Sequence, residues 1–279
     1  MAELMISTME SSITKIDDQW IFVRHTPISS SRPTIALIHA LGDSSLSFLE
    51  AFESSSLNDF NLIAPDLVGH GCSPEASDDD YSFGAQIKRI NKILDELRIA
   101  EFFLVGHSLG ADIATHFAAT HRDRVSGLVN IEGNLTPADV VISKQATAAA
   151  DTENFERWFR EDFMKKVVLN NWGAKWASCQ RYYASLWFCS PQAFLSSARE
   201  VCQRNSAMFS TAESETGWMF QQVDVPKVYC WGGGMSDETA KLIEDRMIQQ
   251  WGFKDAFHWP MIDKDKDFYR LLGEFCSEA

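Results

Sequence analysis

Residues 102–121 read FFLVGHSLGADIATHFAATH, and this stretch decides how the rest of the chain is read. Four apolar residues, Phe102 to Val105, run into Gly106, and a helix-like pattern begins just after Ser108. The result is G-x-S-x-G at the junction of a strand and a helix, with Gly106 and Gly110 two residues either side of the serine. A serine in such a turn sits on strained backbone, so its hydroxyl projects above the sheet. Flanking side chains would collide with the adjoining strand and helix, which explains the glycines. The helix that starts at Leu109 aims its free N–H groups at whatever the serine attacks.

Short apolar runs and amphipathic stretches alternate on both sides of this turn. Gln19–Thr26, Thr34–Ala40 and Phe60–Leu67 read as strands before it, and Ser126–Gly133 and Val225–Gly233 after it. Phe83–Leu97 carries Ile87, Ile90, Ile93, Leu94 and Leu97 at helical spacing. Residues 44–55, Asp237–Trp251 and Asp265–Cys276 read as further helices. Continuous apolar strands separated by helices predict an α/β fold, a mostly parallel sheet covered on both faces. From Asn134 to Phe220 the strands stop, and the sequence becomes helix-like and rich in aromatic residues. The expected division is therefore an α/β core of residues 1–133 and 221–279, with a helical insertion at 134–220.

The 279 residues carry 39 acidic and 25 basic side chains, a formal net charge of −14. That balance argues against nucleic acid and anionic membranes, whose phosphates call for clustered Lys and Arg. No apolar run is long enough to span a bilayer. The first residues, MAELMISTMESSITK, do not resemble a secretory signal. Six cysteines, scattered without a CxxC pair, read as reduced thiols of a cytoplasmic protein and offer no zinc-binding spacing. The expected partner is a small-molecule substrate, with no cofactor and no metal.

A serine hydroxyl is a weak nucleophile until a base removes its proton. Of the seven histidines only His258 lies well downstream of Ser108, in DAFHWPMID, where this turn's usual chain order places the base. His116 and His121 belong to the helix after the turn, and His107 is too close to reach round to the hydroxyl. The oxyanion of an acyl-transfer intermediate needs two backbone donors. The N–H groups of Leu41, in LIHALGDSS, and of Leu109 are the candidates, while His39 reads as a residue that braces the loop.

With HALGDS (39–44), PDLVGHGCS (65–73), GHSLG (106–110) and HWP (258–260) in this order, the chain resembles the α/β-hydrolase superfamily. The motifs cover both ends of the chain, and the helical insertion resembles the cap domain of lidded members. The acid departs from the common family pattern, an Asp three residues after the glycine that ends strand seven. In CWGGGMSDET that place is held by Met235. Asp237 lies two residues further on, where capping the next helix is an equally good use for it. Glu132 instead follows the apolar LVNI of strand six, where a buried charge needs a partner. This resembles the acid position of the haloalkane dehalogenases and their relatives, although their nucleophile is an aspartate.

Our reading favours Glu132 and a triad of Ser108, His258 and Glu132 suited to cleaving a carboxylic ester or thioester. Carbon–carbon bond hydrolysis, a lyase step or cofactor-free oxygenation would use the same triad, and a ligand receptor with little turnover is the third possibility. Trp259, beside His258, is expected to line the substrate pocket or to pack beneath it. The aromatic residues of the insertion, Trp158, Phe159, Phe163, Trp172, Trp176, Tyr182, Tyr183, Trp187 and Phe188, are expected mostly to pack its own core, while those that reach the pocket suggest a hydrophobic acyl group.

Overall fold

The apolar runs around Ser108 pair side by side. In the computed structural model, which describes residues 9–152, 154–206 and 213–279, eight strands form one sheet. They are β1 (Glu10–Ile16), β2 (Gln19–His25), β3 (Thr34–Ile38), β4 (Asn61–Pro65), β5 (Phe102–His107), β6 (Val125–Ile131), β7 (Lys227–Trp231) and β8 (Gln250–Gly252). The order across the sheet is β1-β2-β4-β3-β5-β6-β7-β8. The β1/β2 and β2/β4 pairs are antiparallel and all the others parallel. Every residue of β3, β4 and β5 is buried, as expected of strands covered on both faces.

Two edge elements differ from the sequence reading. β1 was not expected, because ESSITKI is mostly polar and exposed and pairs only with β2. The expected helix Asp237–Trp251 stops at Asp245. Met247 takes a left-handed φ of 51°, and Gln250–Gly252 then joins the sheet beside β7. A methionine in that conformation breaks the helix without the glycine or proline that normally marks a break.

The helices of the core are α1 (Leu49–Glu53), α2 (Phe83–Glu96) and α3 (Leu109–Thr120), the last packed on β5 and β6. Between β6 and β7 every described element is helical. α4 (Val141–Thr152) is followed by α5 (Phe155–Arg157), which runs on into a wide helix at Trp158–Trp172. The wide helix ends with Gly173 N–H donating to Val168 O at 2.7 Å, five residues back. α6 (Ala177–Leu186), α7 (Pro191–Arg204) and α8 (Glu215–Gln222) complete the block, α8 running past Phe220. α9 (Asp237–Asp245), α10 (Pro260–Asp263) and α11 (Asp265–Glu278) close the chain.

The helical block is fastened to the loops after the strands. Tyr182 Oη donates to Leu41 O at 2.9 Å, and Ser190 N–H donates to Gly69 O at 2.9 Å. Arg181 grips the Glu50 carboxylate through two hydrogen bonds of 2.7 and 2.6 Å, the bidentate geometry that gives such a pair its rigidity.

Candidate active site

β5 ends at His107, α3 begins at Leu109, and Ser108 between them has φ 52° and ψ −118°. Such a conformation costs about 1–3 kcal/mol for a non-glycine residue. Its neighbours hold it in place. A Cβ on Gly106 would stand 2.2 Å from Gly110 O, and one on Gly110 would stand 2.2 Å from Ile38 O. Both obstacles are backbone, so only glycine fits either position. Ser108 N–H donates to Ile131 O at 2.8 Å, and the serine carbonyl accepts from Ala111 and Asp112. The hydroxyl makes no hydrogen bond among the described residues and lines a cavity of about 220 Å³.

His258 lines the same cavity from the loop before α10. His107 Nε2–H donates to the His258 carbonyl at 2.7 Å, so the histidine next to the serine braces the backbone of the one downstream. The His258 Nδ1 forms a short hydrogen bond with Glu132 Oε2. Glu132 is 5% exposed, follows β6 with φ 45°, and ties its own N–H to Cys230 O at 2.9 Å. Its Oε1 accepts from Gly232 N–H at 2.5 Å and Gly234 N–H at 3.4 Å. A Cβ on Gly234 would meet Glu132 Oε2 at 2.4 Å and His258 Nδ1 at 3.2 Å. The glycine run after β7 thus wraps the carboxylate that arrives from β6.

Of the two carboxylates weighed for the imidazole, Asp237 is the one that does not meet it. It is exposed, in the first turn of α9. Nor does it cap that helix: Ser236 is the N-cap, its hydroxyl accepting from Thr239 N–H at 3.1 Å. Leu41 and Leu109 both line the cavity beside Ser108, and neither backbone N–H has an acceptor among the described residues. For Leu109 this is the ordinary state of a helix N-terminus.

His39 donates from Nδ1 to Ala40 O and accepts Leu67 N–H on Nε2, both at 2.8 Å. Burial pushes its pKa down to about 4, so it is a neutral brace for the loop. Trp259 lines the cavity with its ring and donates its indole N–H to Asp43 Oδ2 at 2.9 Å. Asp43 was not singled out in the sequence. Burial pushes its carboxyl up to about 6, and it ties the loop after β3 to the residue beside His258. The signal was present: an acid inside the apolar run of HALGDS needs a buried donor. Of the aromatic residues in the helical block, Phe163, Trp172 and Tyr182 line the cavity, whereas Trp187 and Phe188 are exposed. No group of three or more His, Cys, Asp or Glu side chains among the described residues is placed to hold a metal ion.

A serine on a tight glycine-flanked turn, with a glutamate-held imidazole facing the same cavity, calls for comparison with known proteins. The family model for the alpha/beta hydrolase fold matches residues 33–265. The chain is a member of the α/β-hydrolase family. A 2-hydroxymuconate semialdehyde hydrolase of Pseudomonas putida is 26% identical over 239 residues, 82% of this chain and 80% of that protein. An uncharacterised protein of Mycobacterium bovis is 37% identical over 117 residues, 41% of this chain but only 33% of the mycobacterial one. The match thus spans about a third of that relative's length. Among solved structures, an N-acyl homoserine lactonase superposes with a TM-score of 0.76 at 19% identity, covering 97% of each chain.

In this α/β-hydrolase a second buried acid links the serine's helix to the helical block. Asp112, on α3, accepts from Asn134 N–H at 2.9 Å, Asn134 Nδ2 at 2.7 Å and Asn205 Nδ2 at 2.8 Å. Burial pushes its carboxyl up to about 7 against the pull of these bonds. The folded protein therefore keeps a proton at Asp112 that the unfolded chain releases above the ordinary value of 3.8. This contribution to stability is full below that value and is lost as the pH rises through about 7. Buried histidines such as His39 and His70 pull the opposite way, so comparison with a variant isolates the acid. Wild type is expected to be more stable than Asp112→Asn, by a margin about 2–3 kcal/mol smaller at pH 7.5 than at pH 5. Denaturant melts of both proteins at the two pH values check this.

Proposed function

We propose that this chain is a serine hydrolase that cleaves a carboxylic ester or thioester through an acyl-enzyme on Ser108. The observation that carries the proposal is the Glu132–His258 pair facing the cavity lined by Ser108. In this reading His258 Nε2 takes the serine proton as Oγ attacks the carbonyl, then returns it to the leaving group. Glu132 fixes the imidazole with Nδ1–H toward its carboxylate, which leaves Nε2 as the acceptor, and it stabilises the imidazolium as it forms. The N–H groups of Leu41 and Leu109 receive the negative charge of the tetrahedral intermediate. Water deacylates the enzyme by the same route reversed.

Residues 134–220 act as a cap in this account, with Phe163 and Trp172 giving the pocket an apolar wall. The hydrophobic acyl group inferred from the sequence fits that wall. The six cysteines stand as free thiols, which supports the reduced, cytoplasmic setting proposed from the sequence.

The second reading, suggested by the Pseudomonas relative, is hydrolysis of a substrate like the one in that protein's name, a carboxylate. Against it stands a cavity that no Lys or Arg lines among the described residues. Stopped-flow hydrolysis of p-nitrophenyl esters separates the readings. The ester reading predicts a burst of nitrophenolate approaching one equivalent per active enzyme, or steady turnover if deacylation is fast. No release from any short or aromatic acyl ester would leave it without support.

A further inference from the structure

One stretch of chain brings three polar side chains to the cavity, with Val140, Val141 and Ile142 among them. Asn134, Asp139 and Ser143 all line it, between β6 and the first turn of α4. Asn134 is 7% exposed and Ser143 is 6% exposed. Once ionised, above about pH 7, Asp112 can only accept, and the Asn134 amide then turns its nitrogen toward that carboxylate. Its Oδ1 then points away from Asp112 and accepts no hydrogen bond among the described residues. The Ser143 hydroxyl likewise has no partner among the described residues. Asp139 is held in place by Ser236 Oγ at 2.6 Å, Thr239 Oγ1 at 2.6 Å and Thr136 N–H at 2.9 Å.

We infer that residues 134–143 form an acceptor-lined subsite, which selects a substrate bearing a hydroxyl, amide N–H or ammonium group and rejects one bearing a carboxylate. Polar groups that face a cavity without a protein partner favour a ligand that supplies one. Charge acts in the same direction. Glu132 and Asp139 are the carboxylates of the lining, and no Lys or Arg joins them. The undescribed residues of the helical block, Glu153 and the stretch AMFSTA at 207–212, add no basic side chain. A ligand carboxylate about 6 Å from one fixed carboxylate, at an effective dielectric of about 20, is disfavoured roughly a hundredfold.

This inference rests on the cavity being the substrate site of the proposed hydrolase, so its test needs a readout that does not depend on turnover. Phenylacetamides carrying hydrogen, hydroxyl, aminomethyl or carboxylate at the para position are titrated calorimetrically into Ser108→Ala protein. The p-nitrophenyl esters of the same four acids are assayed with wild type. The hydroxyl and aminomethyl ligands are expected to bind about tenfold more tightly than the unsubstituted one, and the carboxylate about a hundredfold more weakly. Ser143→Ala should erase the hydroxyl ligand's gain. Val141→Lys, at a half-exposed position of the lining, should restore about tenfold to the carboxylate ligand.

A carboxylate ligand that binds as well as the unsubstituted one, a hydroxyl preference that survives Ser143→Ala, or no binding by any of the four overturns the subsite. The expected ranking of amides without turnover of any ester would sink the ester reading and leave the subsite standing. Turnover with no ranking would do the reverse.

Discussion

Ser108→Ala is expected to lower kcat/KM for an activated ester by roughly 10⁴–10⁶-fold while moving Tm by no more than about 2 °C. The two effects separate because of how the serine is held. Its backbone supplies every hydrogen bond it makes, to Ile131 O and from Ala111 and Asp112 N–H, and all three survive the substitution. The hydroxyl has no partner among the described residues to leave stranded. Alanine must still adopt φ 52°, but so must serine, and the glycines that permit the turn are untouched. What disappears is the atom that attacks. Steady-state kinetics with a thermal melt on the same sample check both halves. A matching loss of activity and stability would mean that the serine is structural.

Glu132→Gln is expected to cost about 10³–10⁴-fold in kcat, and Asp237→Asn less than about twofold. The first follows from hydrogen-bond polarity. Gly232 and Gly234 N–H both donate to Oε1, so a glutamine must keep its oxygen there and turn its amide nitrogen toward His258. That nitrogen donates, so Nδ1 has to accept and the ring proton moves to Nε2. The imidazole is then in the wrong tautomer to take a proton from Ser108. Asp237 is exposed in the first turn of α9, and losing its charge there affects only the helix end. Activity that survives Glu132→Gln but collapses with Asp237→Asn would reverse the assignment.

The parts of the site that could be read from sequence are those where local sterics leave few residue choices. Gly106 and Gly110 are such positions, since a Cβ at either would stand 2.2 Å from a carbonyl oxygen. Glu132 was legible for a related reason: a charge at the end of LVNI has to find a partner in the interior. The Asp43–Trp259 hydrogen bond was not legible, because it joins residues 216 positions apart. The acceptor wall of Asn134, Asp139 and Ser143 was hidden in the same way. Its character depends on Asp112, Thr239 and Ser236, which reach it from other elements. β1 and β8 were missed because a polar edge strand and a three-residue strand carry almost no periodic signal. The wide pitch of Trp158–Trp172 leaves no mark in the composition, whereas the helical character of the block around it was plain.

The central claim is that one serine is made nucleophilic by one distant histidine. The most direct test is to treat the protein with a fluorophosphonate and map the adduct by peptide mass spectrometry, in wild type and in His258→Ala. The account predicts a single adduct, on the peptide that contains Ser108, forming at least about 10³-fold more slowly without the imidazole. An adduct on another residue, no adduct in the wild type, or equal labelling rates in the two proteins would contradict it.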